Sequence, residues 1–217
     1  MKNRIKHGKR ARVILFGFVS VILLLQPAMA EKYQLSLFGG MNHVFQYGTE
    51  GDYILGENDF PVTPAHTPPN FGVAFALYLN DNIAMGLDWR YTLSSQVTLM
   101  DPSDQDEVEI DSSKHHTITL NFIYRFLKGT VKPYIVVGGG LDKILANDQT
   151  YLTKYGFEVD FLAPEKTIDP LANIGAGVQF FVSPNLGIRF DLRYVMIFTE
   201  PDSISSLNGV AGITYSF

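Results

Sequence analysis

The chain has 217 residues, no cysteine and a formal net charge of −5 at pH 7. Six of its seventeen basic residues and none of its twenty-two acidic residues lie in the first thirty positions, so residues 31–217 carry a net charge of −11. Such acidity excludes nucleic acid as a partner, because that partner calls for a basic face. Without cysteine the chain cannot be held by disulfides, so its stability must come from a core or from a membrane.

The first thirty residues follow the three-part plan of a secretory signal peptide. A basic start precedes an apolar run from Val13 to Leu25, and a small-x-small cleavage site follows at Ala28 and Ala30. The run has thirteen residues, whereas a membrane-spanning helix, the alternative interpretation, needs about 20. We therefore expect residues 1–30 to be a cleaved signal peptide and residues 31–217 to form the mature domain.

The mature domain contains eight segments in which residues alternate with the two-residue period of β-strands. They lie near 33–46, 70–79, 83–99, 115–127, 131–145, 171–182, 186–198 and 207–217. Tight polar turns at 80–82, 128–130 and 183–185 alternate with longer links at 47–69, 100–114, 146–170 and 199–206. Short turns on one rim and long loops on the other are typical of outer-membrane barrels. The pattern predicts an all-β fold, an eight-stranded antiparallel up-and-down transmembrane β-barrel.

The two faces of the predicted strands differ in composition, most clearly in the seventh strand. One face carries Ile188, Phe190, Leu192, Tyr194, Met196 and Phe198, and the other carries Arg189, Asp191 and Arg193. The fifth strand is ambiguous, because Tyr134, Ile135, Val136 and Val137 follow one another. A soluble barrel would be rich in Lys and Glu on its polar face, whereas glycine, alanine, asparagine and threonine dominate here. That composition favours a narrow lumen inside a membrane barrel.

All four arginines of the mature domain share the polar face: Arg90, Arg125, Arg189 and Arg193. An arginine on the lipid face costs about 2–4 kcal/mol at mid-bilayer, so the opposite register would cost on the order of 10 kcal/mol in total. Because buried charges need partners, we expect Asp88 and Asp191 to be the counter-charges. Inward glycines at 138, 140, 175 and 177 would leave room for Arg125 and Arg193 to cross the lumen.

Several stretches in order resemble the outer-membrane β-barrel domain family that includes OmpA-type barrels. They are 132–140 (KPYIVVGGG), 173–178 (NIGAGV), 186–194 (LGIRFDLRY) and 212–217 (GITYSF). The resemblance implies an outer-membrane location beside lipid and lipopolysaccharide. It also implies that Tyr215 and Phe217, in the terminal strand, are recognised by the barrel-assembly machinery. The chain stops at the eighth strand, so we expect no periplasmic peptidoglycan-binding domain.

The segment 101–111 carries six carboxylates and no basic residue. Carboxylate oxygens at that density could hold Ca²⁺ or Mg²⁺, but the segment lacks the glycine and the closing glutamate of a calcium loop. We expect a solvated, repulsive loop, no metal site and no cofactor.

Three functions fit these features, and we expect the first. It is a monomeric structural or surface-interaction barrel whose lumen is plugged by ion pairs and whose loops meet an extracellular ligand or surface. The second is a narrow pore for ions or small apolar solutes. The third is a lipid A hydrolase in which Ser94 and His115 point inward and form a hydrogen-bonded nucleophile and base. No barrel-lipase motif surrounds these two residues, so we expect the chain not to be an enzyme.

Overall fold

In a computed structural model of the protein, eight long antiparallel strands form one closed barrel. Each strand pairs with its neighbours in sequence, and the last pairs with the first, so the eight-stranded up-and-down topology predicted from the sequence is confirmed. The strands are β1 (Tyr33–Val44), β2 (Pro69–Tyr78), β3 (Ile83–Thr92), β4 (Lys114–Arg125), β5 (Val131–Leu145), β6 (Ile168–Phe181), β7 (Leu186–Ile197) and β8 (Ile204–Ser216).

The structure describes residues 32–45, 54–55, 58–59, 65–100, 107–145, 149–152, 158–161, 168–199 and 203–217. The predicted signal peptide, with Ala28 and Ala30, lies outside them, as do residues 101–106 of the acidic segment. Short hairpins pair Ile54–Leu55 with Asn58–Asp59, Gln96–Met100 with Glu107–Asp111, and Gln149–Leu152 with Glu158–Phe161. Within the described residues, no helix has the length and apolarity needed to cross a membrane.

The tight turns have the local hydrogen bonds that their polar residues favour. Asn80 Oδ1 accepts hydrogen bonds from the backbone N–H groups of Asn82 and Ile83, at 2.9 and 2.8 Å. An asparagine side chain that bonds to the backbone two residues further on stabilises a tight turn. Between β4 and β5, Gly129 has a φ of 120°, a conformation that glycine adopts without steric cost. We call the rim that holds these turns the turn end, and the opposite rim the loop end.

A surface ion pair joins two of these turns. Lys128 Nζ donates to Asp81 Oδ2 at 2.6 Å, and both side chains are exposed. The hydrogen bond from Lys128, reinforced by its charge, lowers the pKa of the Asp81 carboxyl below its ordinary value.

The predicted third strand, 83–99, was wrong in its length, because β3 leaves the barrel after Thr92. Ser95 and Ser112 then bond to each other: the Ser112 N–H donates to the Ser95 carbonyl at 2.8 Å, and the Ser95 N–H donates to Ser112 Oγ at 2.9 Å. Residues 96–100 continue as the separate hairpin with 107–111. The two-residue period runs on through both segments, so it could not mark where the barrel ends. Smaller differences occur at β6 and β8, which begin at Ile168 and Ile204, three residues before the predicted starts.

The barrel has an apolar outside and a polar inside. Outward side chains are exposed, among them Leu37 at 60%, Ile118 at 53% and Ile174 at 61%. Charged and amide side chains are instead buried in the lumen, as Arg125 at 2% and Asn208 at 1% show. This is the reverse of a soluble protein, in which large apolar side chains are usually buried and charged ones exposed.

The C-terminus closes the barrel against β1. Tyr33 and Phe217 exchange two backbone hydrogen bonds of 2.9 Å. Their rings stack with centroids 5.8 Å apart, and the Tyr215 ring stacks on Phe217 at 6.2 Å. The two residues predicted to be the assembly signal thus lie on the outer face of the turn end.

Candidate functional site

The lumen is the candidate site, because it collects the ionisable side chains of several strands. The alternation of each strand directs every second residue inward, and this resolves the ambiguous fifth strand. Tyr134, Val136 and Asp142 are buried, whereas Ile135 and Val137 are exposed. β5 therefore contributes a tyrosine and an aspartate to the interior.

Five charged residues form what we call the central charge cluster: Asp88, Arg90, Arg189, Asp191 and Arg193. Arg193 donates to Asp88 Oδ2 at 2.7 Å, which joins β7 to β3 across the lumen. Arg189 Nε donates to Asp191 Oδ2 at 2.8 Å, and one of its terminal nitrogens also bonds to that oxygen. A terminal nitrogen of Arg193 lies 3.8 Å from the other Asp191 oxygen. The two carboxylates thus hold two guanidinium groups.

The Tyr134 hydroxyl completes the central charge cluster by donating to Asp191. Asp191 therefore receives hydrogen bonds from β5 and from its own strand. A buried carboxylate that is surrounded by donors in this way is stabilised in its charged form. In an eight-stranded barrel the interior is just wide enough for side chains, so the cluster lies among the side chains of several strands.

Arg90 is the member of the cluster that stands apart. It is 8% exposed, and no hydrogen bond or ion pair joins it to any residue that the structure describes. Its guanidinium carbon lies 5.6 Å from the centre of the Phe38 ring, and Arg189 lies 5.7 Å from the same ring. Phe38 therefore lies close to both cations.

Arg125 belongs to a second group, the turn-end cluster, made of Gln34, Tyr78, Arg125, Gln179 and Ser216. Arg125 donates to the Gln179 amide oxygen at 2.6 Å, and its guanidinium carbon lies 3.7 Å from the centre of the Tyr78 ring. Gln34 accepts from Gln179 at 2.8 Å and from the Tyr78 hydroxyl at 3.2 Å. Gln34 in turn donates to Ser216 at 3.1 Å. The six residues predicted to form one network are thus divided between two clusters.

The inward glycines make room, but for different partners than expected. A Cβ on Gly175 would lie 2.7 Å from Arg193 Cγ, as predicted for that arginine. A Cβ on Gly177 would instead lie 2.5 Å from the Tyr134 ring, and one on Gly138 would lie 2.2 Å from Asn121 Oδ1. Gly177 therefore admits the tyrosine that bonds to Asp191, and not Arg125.

A third group lies at the loop end. His115 Nδ1 is 2.7 Å from Asp142 Oδ2, and the Thr117 hydroxyl donates to the other Asp142 oxygen at 2.6 Å. No hydrogen bond joins Ser94 to His115 within the described part of the chain. The predicted nucleophile and base are therefore not paired, and His115 is oriented by an aspartate that the sequence did not single out.

Residues of the central charge cluster line cavities on both sides. At the loop end a recess is lined by Asn42, Arg90, Thr92, His115, Thr117 and Asp142 among others. We call it the loop-end recess. A second cavity lies on the turn side, and Asp88, Tyr134, Arg189, Gln34 and Gln179 are among its lining residues. Arg90 thus lines the loop-end recess, and Asp88 and Arg189 line the turn-side cavity.

The sequence did not single out several site residues, among them Tyr134, Asp142, Gln34 and Gln179. The sequence contains a signal for Tyr134 and Asp142, because both share the parity of Gly138 and Gly140, which the alternation places inward. Gln34 and Gln179 are uncharged, so the distribution of charged residues in the sequence gives no signal for them. No group of three or more histidine, aspartate or glutamate side chains placed to hold a metal occurs among the described residues.

Comparison with solved structures gives the same architecture. The N-terminal β-barrel domain of Pseudomonas aeruginosa OprF matches with a TM-score of 0.51 and 15% identity, over 86% of this chain and 98% of that one. Neisserial surface protein A matches with a TM-score of 0.54 and 14% identity, over 85% and 97%. OprG from Pseudomonas aeruginosa matches with a TM-score of 0.54 and 12% identity, over 86% and 97%.

No protein-family model and no curated protein sequence matches the chain. These structural matches, at low sequence identity, support a shared fold. The chain has the fold of the small eight-stranded outer-membrane β-barrels.

Proposed function

We propose that the chain is an integral outer-membrane protein with a structural or surface-interaction role, and that ion pairs in its lumen block passage through it. The fold comparison supports the location, and the inverted distribution of polar and apolar residues supports membrane insertion.

The observation that most directly supports membrane insertion is the apolar outer face of the barrel. Several of its large side chains are more than half exposed: Leu37 at 60%, Leu120 at 56%, Leu192 at 53% and Ile213 at 61%. Burial of apolar surface is worth roughly 25 cal/mol per Å², so such a face is unfavourable in water and favourable in hydrocarbon. A closed barrel also satisfies its backbone hydrogen bonds internally, as a spanning structure must.

Partners follow from this placement and belong to the same proposal. The outer face would contact lipid and lipopolysaccharide, and the aromatic terminal strand with Tyr215 and Phe217 would be read by the barrel-assembly machinery. The loops at the loop end would meet an extracellular ligand or surface, with the barrel acting as a monomer.

The single tryptophan, Trp89, offers a direct test of the lipid face. Its position on β3 is outward, beside Phe71 with ring centroids 6.3 Å apart. In vesicles whose acyl chains carry bromine, we expect the Trp89 fluorescence of the refolded protein to be quenched relative to vesicles without bromine. Unchanged emission in both lipids would contradict membrane insertion.

A matched pair of variants sharpens this test. Trp89→Phe combined with Leu120→Trp moves the fluorophore to the middle of β4, where the native side chain is 56% exposed. We expect deeply placed bromines to quench this variant more strongly than they quench the native protein. Equal quenching by shallow and deep bromines would argue against a fixed transmembrane register.

A narrow pore is the second candidate, favoured by the cavities on either side of the central charge cluster. If the Arg193–Asp88 pair opened, those spaces could join. Ion conductance distinguishes the two candidates. A pore would conduct ions, which its charged residues would select, whereas a blocked barrel would exclude them.

A further inference from the structure

We propose that the loop-end recess binds a small oxyanion or carboxylate, and that Arg90 is the residue that holds it. This site goes beyond the proposed function, since it requires neither a closed nor an open lumen.

The first observation is a buried guanidinium without a hydrogen-bond acceptor. Hydrogen bonds assign Asp191 to Arg189 and Asp88 to Arg193. Among the described residues none accepts a hydrogen bond from the Arg90 side chain, whose guanidinium lies beside the Phe38 ring. A guanidinium is always charged at physiological pH, and a buried charged group is costly unless it is hydrogen-bonded. A bound anion would supply the missing acceptor.

The second observation is the position of Arg90 at the boundary of a cavity. Its side chain is more than nine-tenths buried, yet it lines the loop-end recess. A small ligand in that recess would therefore meet the guanidinium.

The third observation is the chemistry of the neighbouring lining. Thr92 and Asn42 offer hydrogen-bond donors to the same recess. The carboxylate of Asp142 also lines it and disfavours an anion placed beside it; hydrogen bonds with His115 and Thr117 orient its two oxygens toward β4. The anion is therefore expected on the Arg90 side of the recess. A planar guanidinium fork beside hydroxyl and amide donors fits a carboxylate, sulfate or phosphate group.

The test is an anion titration of the full refolded mature domain in detergent micelles. Sodium sulfate and sodium acetate are added against sodium chloride at constant ionic strength, and the chemical shifts of the Arg90 and Thr117 backbone amides are followed. We expect saturable shifts with at least one of the two anions. Shifts that grow linearly without saturation would overturn the proposal.

Two variants assign the binding to Arg90. Arg90→Gln should weaken anion binding at least tenfold. Arg90→Lys, which keeps the positive charge but not the planar guanidinium, should give an intermediate affinity. Lys132→Gln is the matched control, because it removes an inward cation whose ammonium lies 4.2 Å from the Phe181 ring near the turn end. Its affinity should stay within twofold of the native value. Each variant is first shown to fold by circular dichroism.

Equal weakening by Arg90→Gln and Lys132→Gln would mean a general charge effect and would overturn the site. That outcome does not bear on membrane insertion, which the Trp89 measurement tests separately.

Discussion

The central charge cluster and the turn-end cluster bury arginine in different ways. Arg189 and Arg193 are bonded to the carboxylates of Asp191 and Asp88, whereas Arg125 bonds to the Gln179 amide and lies over the Tyr78 ring. A carboxylate supplies a full opposite charge. An amide and an aromatic face supply dipoles and a quadrupole, which attract a cation more weakly.

The difference shows what each cluster does in a narrow barrel. In the central cluster, one aspartate joins β7 to β5 through Tyr134, and Arg193 joins β7 to β3. Loss of one member leaves another charge unpaired. In the turn-end cluster, removal of a neutral member takes a dipole away from Arg125 and not a full opposite charge. We therefore expect the two clusters to differ most when a single partner is removed.

The largest effect should come from Asp191→Asn. This variant keeps the shape of the side chain but removes the negative charge beside Arg189 and near Arg193. Breaking a buried ion pair by removing one partner costs about 3–5 kcal/mol, so the free energy of unfolding should fall by that amount. Urea-induced unfolding of the protein refolded in lipid vesicles measures it. A loss below about 1 kcal/mol would mean that the pairing contributes little.

Removal of the partner of Arg125 at the turn end should lower the free energy of unfolding by less. Gln179→Met removes the amide that accepts from Arg125 at 2.6 Å, and a hydrogen bond to a charged group contributes about 1.5–3 kcal/mol. Tyr78→Phe is the milder companion, since it loses the bond to Gln34 but keeps the ring over Arg125. It should cost about 0.5–1.5 kcal/mol. If Gln179→Met destabilised the barrel as much as Asp191→Asn, the two clusters would not differ as described.

Gly177→Ala tests the space on which the central cluster depends. Its new methyl group would lie 2.5 Å from the Tyr134 hydroxyl oxygen and 2.6 Å from the Phe190 carbonyl oxygen. Overpacking of this kind costs about 1–3 kcal/mol, so the unfolding midpoint in urea should fall. Gly209→Ala is the control, because the nearest atom to its Cβ is Leu192 Cδ1 at 3.8 Å. Equal midpoints for the two alanine variants would refute the steric role of Gly177.

The smallest effect concerns the exposed pair of Asp81 and Lys128. Because the folded protein lowers the pKa of Asp81 below 3.8, the pair favours folding above that pH. Its contribution is lost as the pH falls through the folded value. A carbon-detected NMR titration should find the midpoint of the Asp81 carboxyl below 3.8. Lys128→Gln should return it toward the ordinary value, and an unchanged midpoint in that variant would show that Lys128 is not the cause.

Much of the fold could be predicted from the sequence because strand alternation is local. The inward direction of Arg90, Arg125, Arg189 and Arg193 follows from their parity alone, and the structure buries all four. The end of β3 could not be found in this way, since the alternation continues from the barrel into the hairpin at 96–100.

The partners of the inward residues were harder to predict. Which side chains meet across the lumen depends on the tilt and stagger of the closed barrel, and these are not local properties. Parity placed Arg125 inside but could not show that it lies against Tyr78 and Gln179. The His115–Asp142 contact joins directly neighbouring strands, and its signal was the parity of β5, which the apolar run around Tyr134 obscured.

Ion conductance tests the central claim, that the central charge cluster closes the lumen. Single-channel recording on refolded protein in a planar bilayer should show no steady conductance for the native chain. The same recording on Arg193→Gln and Arg125→Gln identifies the residues concerned if current flows. Steady conductance by the native chain would contradict the closed lumen. A change in that conductance when Arg193 or Arg125 is replaced would establish the narrow pore.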